Sequence, residues 1–160
     1  PDNLMTLPER IVPFSVEGLR LALPVEKVER VIPAVAVTPL PKAPLAVLGV
    51  IDLGGRVIPV FDLRRRFGLP EKGLVPENRM IIARSSKRTV AMVADDVQGV
   101  IEAGFEMTAA PGEVLPELSH VTGVVKTAGG LIVIQDIDSF LSLEEEEELS
   151  VALEAKRTDG

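Results

Sequence analysis

From Arg10 onward the chain consists of short apolar runs broken by Gly, Pro or charge every eight to twelve residues. That spacing predicts strands of an all-β sandwich or barrel. Ile11 to Val16 and Leu19 to Leu23 are two such runs, joined by a turn at Glu17-Gly18. Pro24 suits the opening of a short helical turn, Pro24 to Val28, because its missing N–H costs nothing there. Val31 to Thr38 is rich in β-branched residues and is expected to be extended, and Pro39, Pro41 and Pro44 keep the next segment out of helix. Residues 1–9 carry no periodicity and read as a flexible lead-in.

The segment Gly49 to Leu63 holds two apolar runs flanking Gly54-Gly55, and paired glycines supply the positive φ that a tight hairpin demands. Pro59 cannot donate to a ladder, so its strand is expected at an edge or at a bulge. Asp62 is placed to cap a short helix, Leu63 to Phe67, closed by Gly68. Strands are expected at Arg79–Arg84 and Thr89–Ala94 around Ser85-Ser86-Lys87-Arg88, and Val97, Val100 and Ile101 suggest another. Val121–Thr127 and Leu131–Ile134 bracket Ala128-Gly129-Gly130, a second glycine hairpin. Ser142 and Glu145 form a capping-box pattern at the start of a final helix. In that helix Leu149, Ala152, Leu153 and Lys156 recur at helical spacing, and the three apolar ones are expected to give a narrow sticky stripe. The expected organisation is a body over residues 10–143 and an acidic helix and tail over 144–160.

Gly49–Leu63 and Gly123–Ile137 resemble each other. Gly49-Val50 matches Gly123-Val124, Gly54-Gly55 matches Gly129-Gly130, and Val60 and Asp62 match Ile134 and Asp136. The register needs one residue inserted before the second glycine pair and one removed after it, a slip that turns and bulges absorb. The pattern predicts two similar small barrels, each closing with a hairpin and a capped helical turn.

Composition narrows the function. Thirteen Gly and thirteen Pro in 160 residues are too much punctuation for a helical bundle. Cysteine is absent, which removes disulfides, thiolate metal sites and cysteine nucleophiles. The net charge of −7 is concentrated in residues 144–160, which carry −5 of it. With no Trp or Tyr and no overall basic field, nucleic-acid binding has no support. The triplet Arg64-Arg65-Arg66 reads as a solvated helix face. No run approaches the roughly 18 apolar residues of a transmembrane helix, and Pro1 to Met5 shows no signal-peptide pattern. A cytoplasmic protein is expected.

Catalytic signatures are lacking. There is no G-x-S-x-G, G-x-G-x-x-G or Walker A sequence. His120 is the one histidine, and Asp95, Asp96, Asp136 and Asp138 fall where strands end and aspartate ordinarily caps turns. The competing reading is a ligand- or metal-binding barrel, or an enzyme, using Asp95, Asp96, Asp136 and His120. Otherwise the chemistry lies in surfaces: strand edges and apolar grooves that other proteins grip.

Leu21-Ala22-Leu23-Pro24-Val25-Glu26-Lys27-Val28, Leu40-Pro41-Lys42-Ala43-Pro44, Val47 to Leu53 and Gly55 to Arg64 together resemble the CheW family of bacterial chemosensory adaptors. Val93 to Val97 and the closing hairpin Val121 to Ile137 agree with it. The resemblance implies two intertwined, five-stranded SH3-like barrels around a shared core, with short helical turns and a C-terminal helix. It also implies a non-catalytic adaptor without cofactor. Such an adaptor binds the regulatory domain of a CheA-type histidine kinase and the cytoplasmic tip of chemoreceptors, and meets the membrane only indirectly through receptor arrays. Two departures stand out: the family's Asn-Leu-Arg-Gly is here Asp52-Leu53-Gly54-Gly55, and the acid common after the first helical turn is here Arg30. Together they suggest a divergent adaptor serving a dedicated receptor or pathway. The expected protein-binding residues are Val28, Arg30 and Val31 on one strand and Gly49, Asp52, Gly54, Gly55 and Arg56 around the hairpin. Gly49→Asp is expected to abolish kinase binding with the fold intact.

Overall fold

The computed structural model describes residues 10–102, 107–109, 121–127 and 129–159. The lead-in over residues 1–9 and His120 lie outside the described residues. The strands are β1 (Arg10–Val16), β2 (Leu19–Pro24), β3 (Val28–Pro33), β4 (Val47–Leu53), β5 (Arg56–Phe61), β6 (Arg79–Arg84), β7 (Thr89–Ala94), β8 (Asp96–Val97), β9 (Ile101–Glu102), β10 (Met107–Ala109), β11 (Val121–Thr127) and β12 (Gly130–Gln135). The helices are α1 (Leu63–Arg66) and α2 (Leu143–Asp159), with single 3-10 turns at Val25–Lys27 and Ile137–Ser139.

One sheet has the strand order β3-β6-β7-β5-β4. The other runs β10-β11-β12-β2-β1-β8, with β9 also pairing with β1, so the two-residue β8 and β9 share one edge where a single strand was expected. The mostly β architecture with a C-terminal helix is the one expected, and SH3-like barrels are consistent with it.

The internal repeat reappears as topology. A bulge between Val47 and Gly49 in β4 has its counterpart between Val121 and Gly123 in β11. Gly49 then pairs with Val60, and Gly123 with Ile134. Val60 makes a parallel pairing with Ala91 of β7, and Ile134 makes one with Ala22 of β2. The β1–β2 hairpin thus serves the C-terminal half as β6–β7 serves the first. Because it comes first in the chain, the halves are intertwined.

Apolar side chains form three groups. Ile51, Ile58, Val60, Met80, Ile82 and Ala91 fill one sheet's interior, and Ile11, Ala22, Val125, Ile132 and Ile134 fill the other's. The largest group joins the halves: Phe14, Leu21 and Leu23 pack with Phe61, Leu63, Ile81, Met92, Phe140 and Leu149. Helix α2 therefore belongs to the common core through Leu149 and Ala152, on the stripe expected for it. Its start is the expected capping box: Ser142 Oγ accepts from the Glu145 N–H at 3.1 Å, and Glu145 Oε1 accepts from the Ser142 N–H at 2.8 Å.

Three expectations need correction. Val31–Thr38 is not one strand: β3 ends at Pro33, and Thr38 makes an isolated bridge to Val50. Pro33 has no N–H to continue the ladder, and β3 stops there. Pro59 lies in an interior strand, β5, between β7 and β4. Counting outward from the Leu53–Arg56 closing pair, Pro59 opposite Val50 falls at a non-hydrogen-bonded position, so the β4 ladder loses nothing. Pairing with β7 spans only Val60 and Phe61.

The third concerns the arginine triplet, which is not a solvated face. Arg64 is buried and donates to both Asp95 oxygens (2.9 and 3.1 Å), to Glu17 and to the Pro70 carbonyl. Burial alone would lower its pKa, but the hydrogen bonds to Glu17 and Asp95 outweigh that and raise it. Arg66 reaches Glu145 at 3.2 Å, anchoring α2. Glu146, in the acidic run that opens α2, is itself buried against Arg88.

Candidate functional site

The β4–β5 hairpin is built by its turn. Gly54 and Gly55 have φ of +60° and +90°, both left-handed, as a two-residue turn of this hand requires. Asp52 locks it by accepting the Gly55 N–H at 2.9 Å. The tip is exposed at Asp52, Gly54, Gly55 and Arg56.

This tip is tied to β3 from across the fold. Arg56 Nη2 donates to Glu29 Oε2 at 2.7 Å. Glu29 can reach because β3 bulges there: Val28 pairs with Ala83 and Arg30 with Ile82, leaving Glu29 as the extra residue. The hydrogen bond from Arg56, with the positive fields of Arg56, Arg30 and Arg84, holds the Glu29 carboxyl below its usual value. Arg30, next to Glu29 on β3, is exposed, and so are Val31, at 39%, and Val57, at 47%.

The structure therefore brings Arg30 and Arg56 to the Glu29 carboxylate, with Asp52, Gly54 and Gly55 exposed at the tip beside Arg56. Val31 is exposed too, but it pairs with Ile81 where Arg30 pairs with Ile82, so the two neighbours point to opposite sides of the sheet. The other two expected residues are not exposed. Val28 is half-buried and packs against the shared core. Gly49 is buried at the bulge, where an added Cβ would lie 2.3 Å from the Thr38 carbonyl oxygen. Thr38 and Val50 exchange two backbone hydrogen bonds of 2.8 Å at this point. The expectation that Gly49→Asp leaves the fold intact is corrected accordingly: the side chain would strike backbone that closes the sheet. Glu29 and Arg84, which share this cluster, were not singled out from sequence, nor was exposed Val57. Val57 was hidden because the inward-outward alternation of β5 fails at its first two residues, both exposed.

The carboxylates of the competing reading do not converge. Asp95 is occupied by Arg64 and by the Glu17 N–H at 2.8 Å. Asp136 caps the Ile137–Ser139 turn, accepting from the Asp138 N–H at 3.1 Å and Ser139 Oγ at 2.8 Å. Asp96 is exposed on β8. Among the described residues no three histidine or acidic side chains are grouped to hold a metal, and no helix is long and apolar enough to cross a membrane.

Comparison with known proteins agrees with this picture. Residues 10–145 match the model of the CheW-like domain. Protein FrzA of Myxococcus xanthus is 34% identical over 119 residues, covering 72% of this chain and 73% of that protein. The chemotaxis protein CheW of Thermotoga maritima is 33% identical over 137 residues, covering 82% and 86%. The crystal structure of the scaffolding protein TtCheW from Thermoanaerobacter tengcongensis superposes with a TM-score of 0.76 at 28% identity, covering 87% of this chain and 91% of that one.

Proposed function

This chain belongs to the CheW-like family, and from that premise we propose that it couples a CheA-type histidine kinase to the cytoplasmic tips of chemoreceptors. It is a chemosensory adaptor and scaffold, not a catalyst. In the proposed arrangement the kinase regulatory domain seats on the face formed by β3 and the β4–β5 hairpin, and the adaptor is drawn to receptor arrays through its partners. The observation that carries the assignment of the face is the Glu29–Arg56 bridge. It joins two separately encoded segments, β3 and the β4–β5 hairpin, at one surface, and each segment carries an exposed valine, Val31 or Val57. Exposed apolar side chains ringed by polar groups are the usual anatomy of a protein interface.

The test is titration of the purified chain with the regulatory domain of a CheA-type kinase from the same organism. Val57→Asp should weaken binding at least about tenfold, since a charge would then be desolvated at the centre of the contact. Its melting temperature should not change, because the site is solvent-facing. Wild-type affinity in Val57→Asp would remove this face from the kinase interface.

A further inference from the structure

We propose that the same face is an electropositive seat, and that the partner surface it receives carries carboxylates opposite Arg30 and Arg84. The inference rests on the adaptor reading and specifies the chemistry of the partner. The chain as a whole is acidic, at −7, yet this face gathers three guanidiniums. Arg56 is neutralised by Glu29, and the nearby Asp52 carboxylate is engaged by the Gly55 N–H. Arg30 and Arg84 are exposed, and neither has an ion-pair partner among the described residues.

Register places these two around the bridge. Arg30 follows the bulged Glu29 on β3, and Arg84 ends β6 one residue past Ala83, which faces Val28 at the start of β3. Both act electrostatically on Glu29. A neutral or basic partner covering the Glu29–Arg56 bridge would strip water from the two guanidiniums and offer nothing in return, which is costly. A partner with carboxylates opposite them forms charge-assisted hydrogen bonds and is steered in during encounter.

The experiment measures affinity of the full chain for the kinase regulatory domain at low and high ionic strength. It compares wild type, Arg30→Glu, Arg84→Glu and their double variant, with Val57→Asp as the control for the docking face. Each reversal should weaken binding about tenfold at low salt. The wild-type affinity should fall as salt rises, and the double variant should lose most of that dependence. Melting temperatures should stay within a degree or so of wild type, because exposed arginines contribute little to stability. If Val57→Asp weakens binding while the reversals do not, the electropositive seat is rejected and the adaptor reading stands. If no variant, Val57→Asp included, alters affinity, the face itself is wrong. Saturable binding of duplex DNA that the reversals abolish would likewise overturn the proposal, in favour of a nucleic-acid ligand.

Discussion

Phe61 and Phe140 lie face to face, their ring centroids 4.6 Å apart and their planes 8° from parallel. Phe61 ends β5 of one sheet, while Phe140 comes directly after the helical turn that closes β12 of the other. The stack therefore joins the two halves at the point where each finishes its hairpin, and Arg66 covers the Phe140 ring from 5.6 Å. Truncation to Phe140→Ala should cost about 3 to 5 kcal/mol, the range for deleting a buried ring and leaving a cavity. Phe140→Leu should cost less. Urea denaturation monitored by circular dichroism measures both, and equal losses in the two variants would assign the cost to the lost ring stack and not to the cavity.

Arg64 is the next point of vulnerability. Its side chain is only 9% exposed and holds Glu17 and Asp95 together across α1, the β1–β2 turn and the end of β7. Arg64→Met should destabilise by about 2 to 4 kcal/mol, because it leaves a partly buried carboxylate without its partner. Arg64→Met/Asp95→Asn should recover part of that loss. A double variant no more stable than the single one would contradict the pairing.

Gly49 illustrates a functional guess turned structural. Even Gly49→Ala should lower the melting temperature by several degrees, since its methyl group would meet the Thr38 oxygen at 2.3 Å. Gly54→Ala has open space around it and should cost only about 1 kcal/mol, the penalty of a left-handed φ without glycine. Differential scanning calorimetry of the pair would reverse the assignment if Gly54→Ala proved the more damaging.

Acid should loosen helix α2. Burial would raise the Glu145 carboxyl, yet the Ser142 N–H and the Arg66 guanidinium together hold it below its usual 4.5. A folded value below the unfolded one means the stabilisation is fully present above pH 4.5 and fades as pH falls through the folded value. Glu145→Gln should thus be about 1 kcal/mol less stable at neutral pH, and the gap should close in acid. A gap that persists unchanged at pH 3 would assign the effect to the side chain's shape instead of its charge.

Much of this protein is determined locally and could be read from the chain. The Gly54-Gly55 turn, the Asp62 and Asp136 caps and the Ser142–Glu145 box all join groups two or three residues apart. Such contacts need no knowledge of the fold. The CheW-like resemblance and the repeated hairpins add the overall architecture.

Tertiary structure alone decided which distant groups meet. Glu29 bridges to Arg56, Arg64 to Asp95, and Arg88 to Glu146, at separations of 27, 31 and 58 residues. A lone arginine in a sequence carries no mark of its future partner, so a run of three reads as solvated until packing encloses one of them. Gly49 looks like any other hairpin glycine until Thr38 is brought against it. Local chemistry is set by the few bonds between neighbouring residues. Burial and charge pairing depend on where the whole chain returns to itself, and only folding supplies that.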